Sequence, residues 1–444
     1  MMPVVDNAGV LLSTRMDRGE RANAARVVAG DTVWGFQSAL VAPATVLTVL
    51  LLRYGAGPTM VSAILALEAG FTVLPQILGN YLVRSAHHRK RLLILWHLFA
   101  IIPFVFAMAV VAHLAGRISS AAVRWGLLAG YAGYNLFMGM IMAVWLDWIA
   151  DVFRERIRGT VFGLSFAFFN LAGAAAALLA GVLIESGKVA SIYGWLYTAA
   201  GVIAAAAMVL FALVRDPSRD RPDRHLRLGL RKIFAHFRRS LADANFRSFV
   251  AGRVLATVGF SMVPLIAVYY ASAGGGGLSE GTVVASGAAM TAGAAVTSLL
   301  VGRYGDRRGH RGGMLLGLGL QALTVALLLS TRGPLSCVLA YAGTGLSRGS
   351  VGVSGFNLLY ETCPHEGRFA HITLGNFLLS FAGIGAPLAA GLSVGRWGLK
   401  PVFAVSLGVS LAALLWFVVR VREPRSLRTP TPPDGGRSLA AGPD

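Results

Sequence analysis

Long apolar stretches recur along the chain, broken by short polar turns. A membrane-spanning helix needs about 20 largely apolar residues. Segments of that kind run over 31–53, 59–83, 92–114, 124–150, 160–184, 192–214, 246–271, 282–302, 313–331, 335–360, 370–394 and 402–420, which predicts twelve spans. The breaks carry turn chemistry or charge, as in Arg53-Tyr-Gly-Ala-Gly-Pro58, Glu185-Ser-Gly-Lys188, Gly274 to Gly277 and Arg332-Gly-Pro334. One break, 215–245, is much longer and rich in arginine. Within it Ile233, Phe234 and Phe237 beside Arg and Lys predict a short amphipathic helix at the membrane surface. The expected organisation is a tail (1–30), six helices (31–214), a basic linker (215–245), six more helices (246–420) and a disordered C-terminal tail (421–444). This is an all-α polytopic membrane protein.

Composition agrees. Of 444 residues, 55% are hydrophobic and 14% charged, against about 25% charged in an ordinary soluble domain. Such a chain cannot cover a soluble surface, which argues against a soluble enzyme, a disordered protein and a disulfide scaffold. The formal charge of +20 points first to nucleic acid, and its distribution removes that reading. With the N-terminus inside, 31 of the 40 Lys and Arg fall on cytoplasmic segments, 7 on the opposite side, and Arg253 and Arg348 within spans. This positive-inside bias places both termini in the cytoplasm. Residues 1–30 lack the long apolar core of a signal peptide and read as a cytosolic tail, with Met16 an alternative start. Cys337 and Cys363 are too few for a disulfide framework or a cysteine metal site and read as free thiols.

The two halves carry an internal repeat. Leu171 to Gly181 aligns with Phe381 to Gly391 at an offset of 210, with six of eleven positions identical. The same offset pairs Arg158 with Arg368 and Asp151 with Glu361. Ala/Gly-rich helices resemble one another by composition, but the paired arginine and acid in the preceding loop favour duplication. Small residues at this spacing let membrane helices approach closely.

The loop between spans eight and nine reads Gly302-Arg-Tyr-Gly-Asp306-Arg307-Arg-Gly309-His-Arg311. It resembles the G-x-x-x-D-R-x-G-R/K-R/K signature of the major facilitator superfamily. The counterpart between spans two and three keeps Gly79, Arg84 and the basic run His87 to Arg91, with Val83 where the aspartate is expected. The loops bearing Arg158 and Arg368 resemble the family's second kind of cytoplasmic loop. The resemblance covers residues 31–420 and implies two pseudo-symmetric six-helix bundles acting as a secondary transporter. A carboxylate at Asp306 can face the positive N-terminal end of span eleven near Ala370. Arg307 and Arg311 can pair with acids on nearby helix ends. Such contacts would close the cytoplasmic side, and Val83 would leave the first half without one latch. The alternative is a tight basic turn that serves topology alone.

Charges inside spans cost at least ~2.5–3.5 kcal/mol and usually face a cavity. In the family's fold, spans one, four, seven and ten line the central path and two, five, eight and eleven flank it. Glu68, near the middle of span two, is the candidate proton carrier, with a structural hydrogen bond as the alternative. Arg348, mid-span ten, is a holder of an anionic substrate or the counter-charge of Glu68. Arg253 in span seven reaches the cavity or snorkels to the surface. Tyr134 and Asn135 lie on span four, as substrate contacts or as packing and helix–helix hydrogen bonders. Asp31 and Asp147 are expected at helix ends, and His97 on a lipid-facing span.

No phosphate loop, H-E-x-x-H or nucleophile elbow occurs, so no enzyme activity, cofactor or metal is expected. The expected function is proton-coupled efflux of small organic or drug-like molecules by alternating access, although the G-P-x-x-G-G pattern of drug/proton antiporters is absent from span five and only partly echoed by Gly385-Ala-Pro387. The alternatives are an uptake symporter for an anionic metabolite or sugar, and a non-transporting receptor or scaffold. Expected partners are a small-molecule substrate, protons and membrane lipids, with a monomer as the functional unit in the plasma membrane, a bacterial inner membrane.

Overall fold

The first helix starts before the apolar run does. Asp17 caps it: the Asp17 carboxylate accepts from the Glu20 amide at 2.7 Å, and Glu20 accepts back from the Asp17 amide at 3.1 Å. This reciprocal box satisfies two orphan donors. Helix α1 therefore begins at Arg18 rather than at residue 31, and Asp31 sits well inside it rather than at its end. Hydropathy marks only the apolar part of a helix, and the polar first turns are stabilised by their cap.

A computed structural model describes residues 16–76, 89–187, 191–216, 241–363 and 368–427. Helix α1 (Arg18–Leu40) continues through a π-helical turn, Pro43–Leu47, into Thr48–Arg53. Then come α2 (Pro58–Val73), α3 (Arg89–Trp96, a π-turn His97–Ile101, and Ile102–Leu114), α4 (Ser120–Val152), α5 (Glu155–Ser186) and α6 (Ile192–Ala212). The second half comprises α7 (Ala244–Gly259, a 3-10 turn Phe260–Met262, and Leu265–Ala271), α8 (Glu280–Arg308), α9 (Arg311–Ser330), α10 (Pro334–Thr362), α11 (Arg368–Trp397) and α12 (Leu399–Arg420). A short α13 (Pro424–Leu427) follows. Among the described residues, nine helices are long and apolar enough to cross a membrane, and Pro58–Val73 is a shorter apolar one. Helix α10 spans 29 residues but carries glycine, serine and Arg348 along its length, as an interior helix does. The expected amphipathic helix around Phe234 lies outside the described residues.

Helix pairing repeats with a shift of six. In the first half α1 packs on α5 and α6, α2 on α4, and α3 on α4 and α6. In the second half α7 packs on α11 and α12, α8 on α10, and α9 on α10 and α12. The halves meet through α5 on α8 and α2 on α11. Those crossings use the small residues of the sequence repeat. A Cβ on Gly181 would lie 2.7 Å from the Gly281 carbonyl oxygen, and one on Gly391 would lie 2.7 Å from the Thr59 Cα. Only glycine permits backbones this close.

Both α1 and α7 break at a proline. Pro43 has no N–H to donate, so the turn widens and Leu47 bonds back to the Ala42 carbonyl at 3.1 Å. In α7 the break precedes Pro264, and the Gly259 carbonyl accepts from Ser406 Oγ at 2.7 Å and Gln321 Nε2 at 3.3 Å.

The core is divided unequally. At the end of the bundle opposite the basic loops, one cluster combines Leu50, Val61 and Tyr197 of the first half with Ile266, Val283, Tyr341 and Phe403 of the second. At the basic end there are two clusters. Val27, Leu93, Trp148 and Phe211 form one within the first half, and Phe249, Leu318, Leu359 and Phe417 another within the second. The halves are fused at one end and separate at the other. Cys337 and Cys363 are both free and buried. His97, expected as an interface or headgroup residue on a lipid-facing span, is 4% exposed, with Nδ1 2.7 Å from the Leu93 carbonyl and its ring edge-on to Trp34 and Trp145.

Candidate functional site

The two helix breaks face one cavity. Ala42, Pro43, Ala44 and Thr45 line it from α1, and Val263 and Pro264 from α7. Its volume is about 220 Å³. Gly35, Ser38 and Ala39 earlier in α1, Ile64, Leu65 and Glu68 of α2, Phe169, Gly173 and Ala177 of α5, Gly287, Met290 and Thr291 of α8, and Arg348 of α10 complete the wall. Helix α4, expected to line the path, contributes no wall residue, whereas α5 and α8, expected to flank it, do. The proline breaks of α1 and α7 lie at this level.

Glu68 and Arg348, chosen from sequence because they interrupt apolar runs, enter the same cavity from opposite halves. The Tyr131 hydroxyl donates to Glu68 Oε2 at 3.5 Å. Asn135 stands behind this contact. Its Nδ2 donates to the Tyr131 carbonyl at 2.9 Å and its Oδ1 accepts from Thr72 at 3.4 Å. Tyr134 packs between the core cluster shared by both halves and the one within the first half. These α4 residues support Glu68 from outside the cavity. Arg253 is not on the wall: its guanidinium donates to the Val351 carbonyl at 3.3 Å, where a Cβ on Gly355 would collide with it.

The signature loop connects α8 to α9. Gly309 takes a left-handed φ of 88°, and a Cβ there would run into the Glu423 carboxylate, so two constraints select glycine. Gly302 meets no comparable constraint, its nearest neighbour being Val353 at 3.9 Å from a built Cβ. Arg311 holds the C-terminal end of α12: Nε donates to the Val421 carbonyl and Nη2 to Val418, both at 2.8 Å, and its amide to Glu423 at 2.9 Å. Its guanidinium thus binds carbonyls of its own half rather than an acid. The Asp306 carboxylate is 79% exposed, 3.9 Å from His310 Nε2, while its carbonyl accepts from Arg425. Arg307 is exposed. Arg158 donates to the Phe153 carbonyl at 3.3 Å. Gly79 and Arg84 lie outside the described residues, as does the side chain of Arg368, which begins α11.

The repeat partners Asp151 and Glu361 each meet an arginine of their own half. Arg89 reaches Asp151 at 3.1 Å and Arg425 reaches Glu361 at 2.6 Å.

A cluster not anticipated from sequence ties the halves together at the opposite end. Arg53 approaches Glu280 at 3.5 Å, Tyr193 donates to Glu280 at 2.7 Å, and Ser279 donates to Glu185 at 2.5 Å. Deeper, Tyr341 donates to the Ala44 carbonyl at 3.3 Å. The local signal was Ser279 as an N-cap, its Oγ accepting from the Thr282 amide. The pairing itself joins residues far apart in the chain.

The chain belongs to the major facilitator superfamily, whose family model, described as Major Facilitator Superfamily, matches residues 32–294 and 251–442. It is a multi-pass membrane protein of a transporter family. Solved structures share its fold at low identity. The nucleoside transporter NupG superposes with a TM-score of 0.68 at 12% identity, covering 90% of this chain and 100% of that one. A D-xylose-proton symporter superposes with 0.66 at 13%, covering 91% and 98%. A bacterial homolog of the human lysosomal transporter Spinster, in an inward-facing and unoccupied conformation, superposes with 0.57 at 15%, covering 91% and 96%. Among curated protein sequences no relative matches.

Proposed function

We propose that this protein is a proton-coupled secondary transporter of the plasma membrane that exports a small organic solute by alternating access, with Glu68 as the proton carrier. The observation that carries the reading is the placement of Glu68 in a cavity bounded by both halves. A carboxylate there can exchange protons with the side to which the cavity opens and compete with solute for the same space. The shared core and the Arg53–Glu280 cluster favour closure of one end, and the separate cores favour opening of the other. The open end bears the basic loops and is taken as cytoplasmic by the positive-inside rule. Direction and coupling are decided by flux. Purified protein in liposomes should acidify or alkalinise the lumen with solute movement, and Glu68→Gln should abolish gradient-driven transport while leaving insertion intact. Flux indifferent to both the gradient and Glu68→Gln would defeat the reading.

A second reading, uptake of an anionic metabolite, is favoured by Arg348, which has no ion-pair or hydrogen-bond partner among the described residues. Accumulation of solute down an inward proton gradient would select it over export. Binding of solute without flux would instead select a receptor.

A further inference from the structure

The cavity holds one carboxylate and one guanidinium that do not neutralise each other. Glu68 enters from α2 and Arg348 from α10, and no ion pair joins them. Glu68 has the Tyr131 hydroxyl at 3.5 Å, a long contact. The Arg348 guanidinium has no hydrogen-bond or ion-pair partner among the described residues. The wall between them is apolar or small, with Ile64, Leu65, Phe169 and Met290 as its larger members. Arg348 is exposed and Glu68 half-buried, so water solvates both charges in the solute-free cavity, and a solute that displaces this water must supply their partners in its place. A solute of one sign satisfies one of these groups and strands the other, and a neutral solute strands both. A solute carrying both signs compensates both, and an apolar body between or beside its charges covers the remaining wall.

We infer that the cavity takes a small zwitterion with an apolar body, its anionic group on Arg348 and its cationic group on Glu68. This rests on the reading of the cavity as the transport site. The planar guanidinium offers two parallel donors to a carboxylate, sulfonate or phosphate, so the anionic end is held directionally. The cationic end is held by charge at Glu68. Because α2 and α10 belong to different halves, a bound zwitterion bridges them. A proton arriving at Glu68 removes the partner of the cationic end, so proton and solute compete there.

The test is equilibrium binding to the purified full chain in detergent, with no membrane and no gradient. Two series serve as probes. One is phenylalanine with 3-phenylpropionate, phenethylamine and 3-phenylpropanamide. The other is 6-aminohexanoate with hexanoate, hexylamine and hexanamide. In at least one series the zwitterion should bind about tenfold or more tightly than its best singly charged relative. Arg348→Gln and Glu68→Gln should each weaken it by about 10- to 100-fold, the worth of a charged hydrogen bond, and Arg348→Lys should keep the preference at reduced affinity. Equal binding of a singly charged or neutral member, or no binding in either series, overturns the inference. If a variant fails to fold, the wild-type ranking alone decides. Proton coupling is read separately as flux in liposomes, so loss of the zwitterion preference and loss of coupling are distinguishable.

Discussion

Asn23 and Asn245 do the same task in the two halves, and single residues of this kind set the ends of the bundle. Asn23 donates to the Arg215 carbonyl at 2.8 Å and accepts from its amide at 2.9 Å. Asn245 donates to the Arg422 carbonyl at 3.3 Å and accepts from its amide at 3.0 Å. Each side-chain amide thus replaces a backbone partner for the residues leaving α6 or α12. Lys90 on the Val214 carbonyl and Arg311 on the Val418 and Val421 carbonyls add cations at the same helix C-termini. Asn23→Ala, at a buried site, should cost about 1–3 kcal/mol and Asn245→Ala, whose contacts are exposed, about 0.5–1.5 kcal/mol, read as a lower unfolding midpoint. The pair should be additive, since the sites share no partner. His310 predicts a pH effect. Burial holds its imidazole below the ordinary histidine value, outweighing the opposing pull of the carboxylates led by Glu361, and Arg425 adds to the lowering. Its contribution to stability is full above the ordinary pKa of about 6.5 and is lost as pH falls from there toward the lowered folded value. The fall in Tm on acidification from about pH 7.5 to 5 should therefore be smaller in His310→Gln than in the wild type.

At the scale of elements, the helices are positioned by what they lack. Gly181 and Gly391 lack the Cβ that would push α5 from α8 and α11 from α2. Leucine at either position overpacks a crossing between halves. Gly181→Leu and Gly391→Leu should each destabilise by about 1–3 kcal/mol or more and depress transport alike, measured as detergent Tm and liposome flux. Matched phenotypes are expected because the two crossings are pseudo-symmetric. Pro43 and Pro264 lack the N–H that would continue α1 and α7, which interrupts both helices at the cavity. The repeat was legible as the matched glycines 210 residues apart. Its purpose was not, because α8 and α2, which those glycines meet, show no comparable pattern.

At the scale of the molecule, the balance between two end states rests on contacts that exist in one of them. Glu280 accepts from Tyr193 and pairs with Arg53, and Glu185 accepts from Ser279, all across the halves. Exposed ion pairs contribute little, about 0–1 kcal/mol, but a hydrogen bond to a carboxylate contributes roughly 1.5–3 kcal/mol. Glu280→Gln should therefore shift the closed end toward opening by about 5- to 30-fold in the state ratio, for a change of about 1–2 kcal/mol. Spin-label distances across that end, with labels at Arg117 and Arg396, should lengthen in the variant and stay unchanged in Glu280→Asp. The latch was invisible in sequence because its members lie on α1, α5, α6 and α8 and no local pattern links them.

Hydropathy and residue spacing alone imply that this chain crosses a membrane repeatedly, that its halves are related and that Glu68 and Arg348 are charges out of place. Those follow from hydropathy, offset and the cost of an intramembrane ion, all of which are local. The sequence did not reveal that Asp31 is interior, because a capping box extends α1 past its apolar run. Nor did it show that Arg253 turns to the Val351 carbonyl, or that Glu68 and Arg348 share a cavity without pairing. These follow only from the packing, since which side chains meet depends on how helices far apart in sequence cross and on which end of the bundle the two halves share a core.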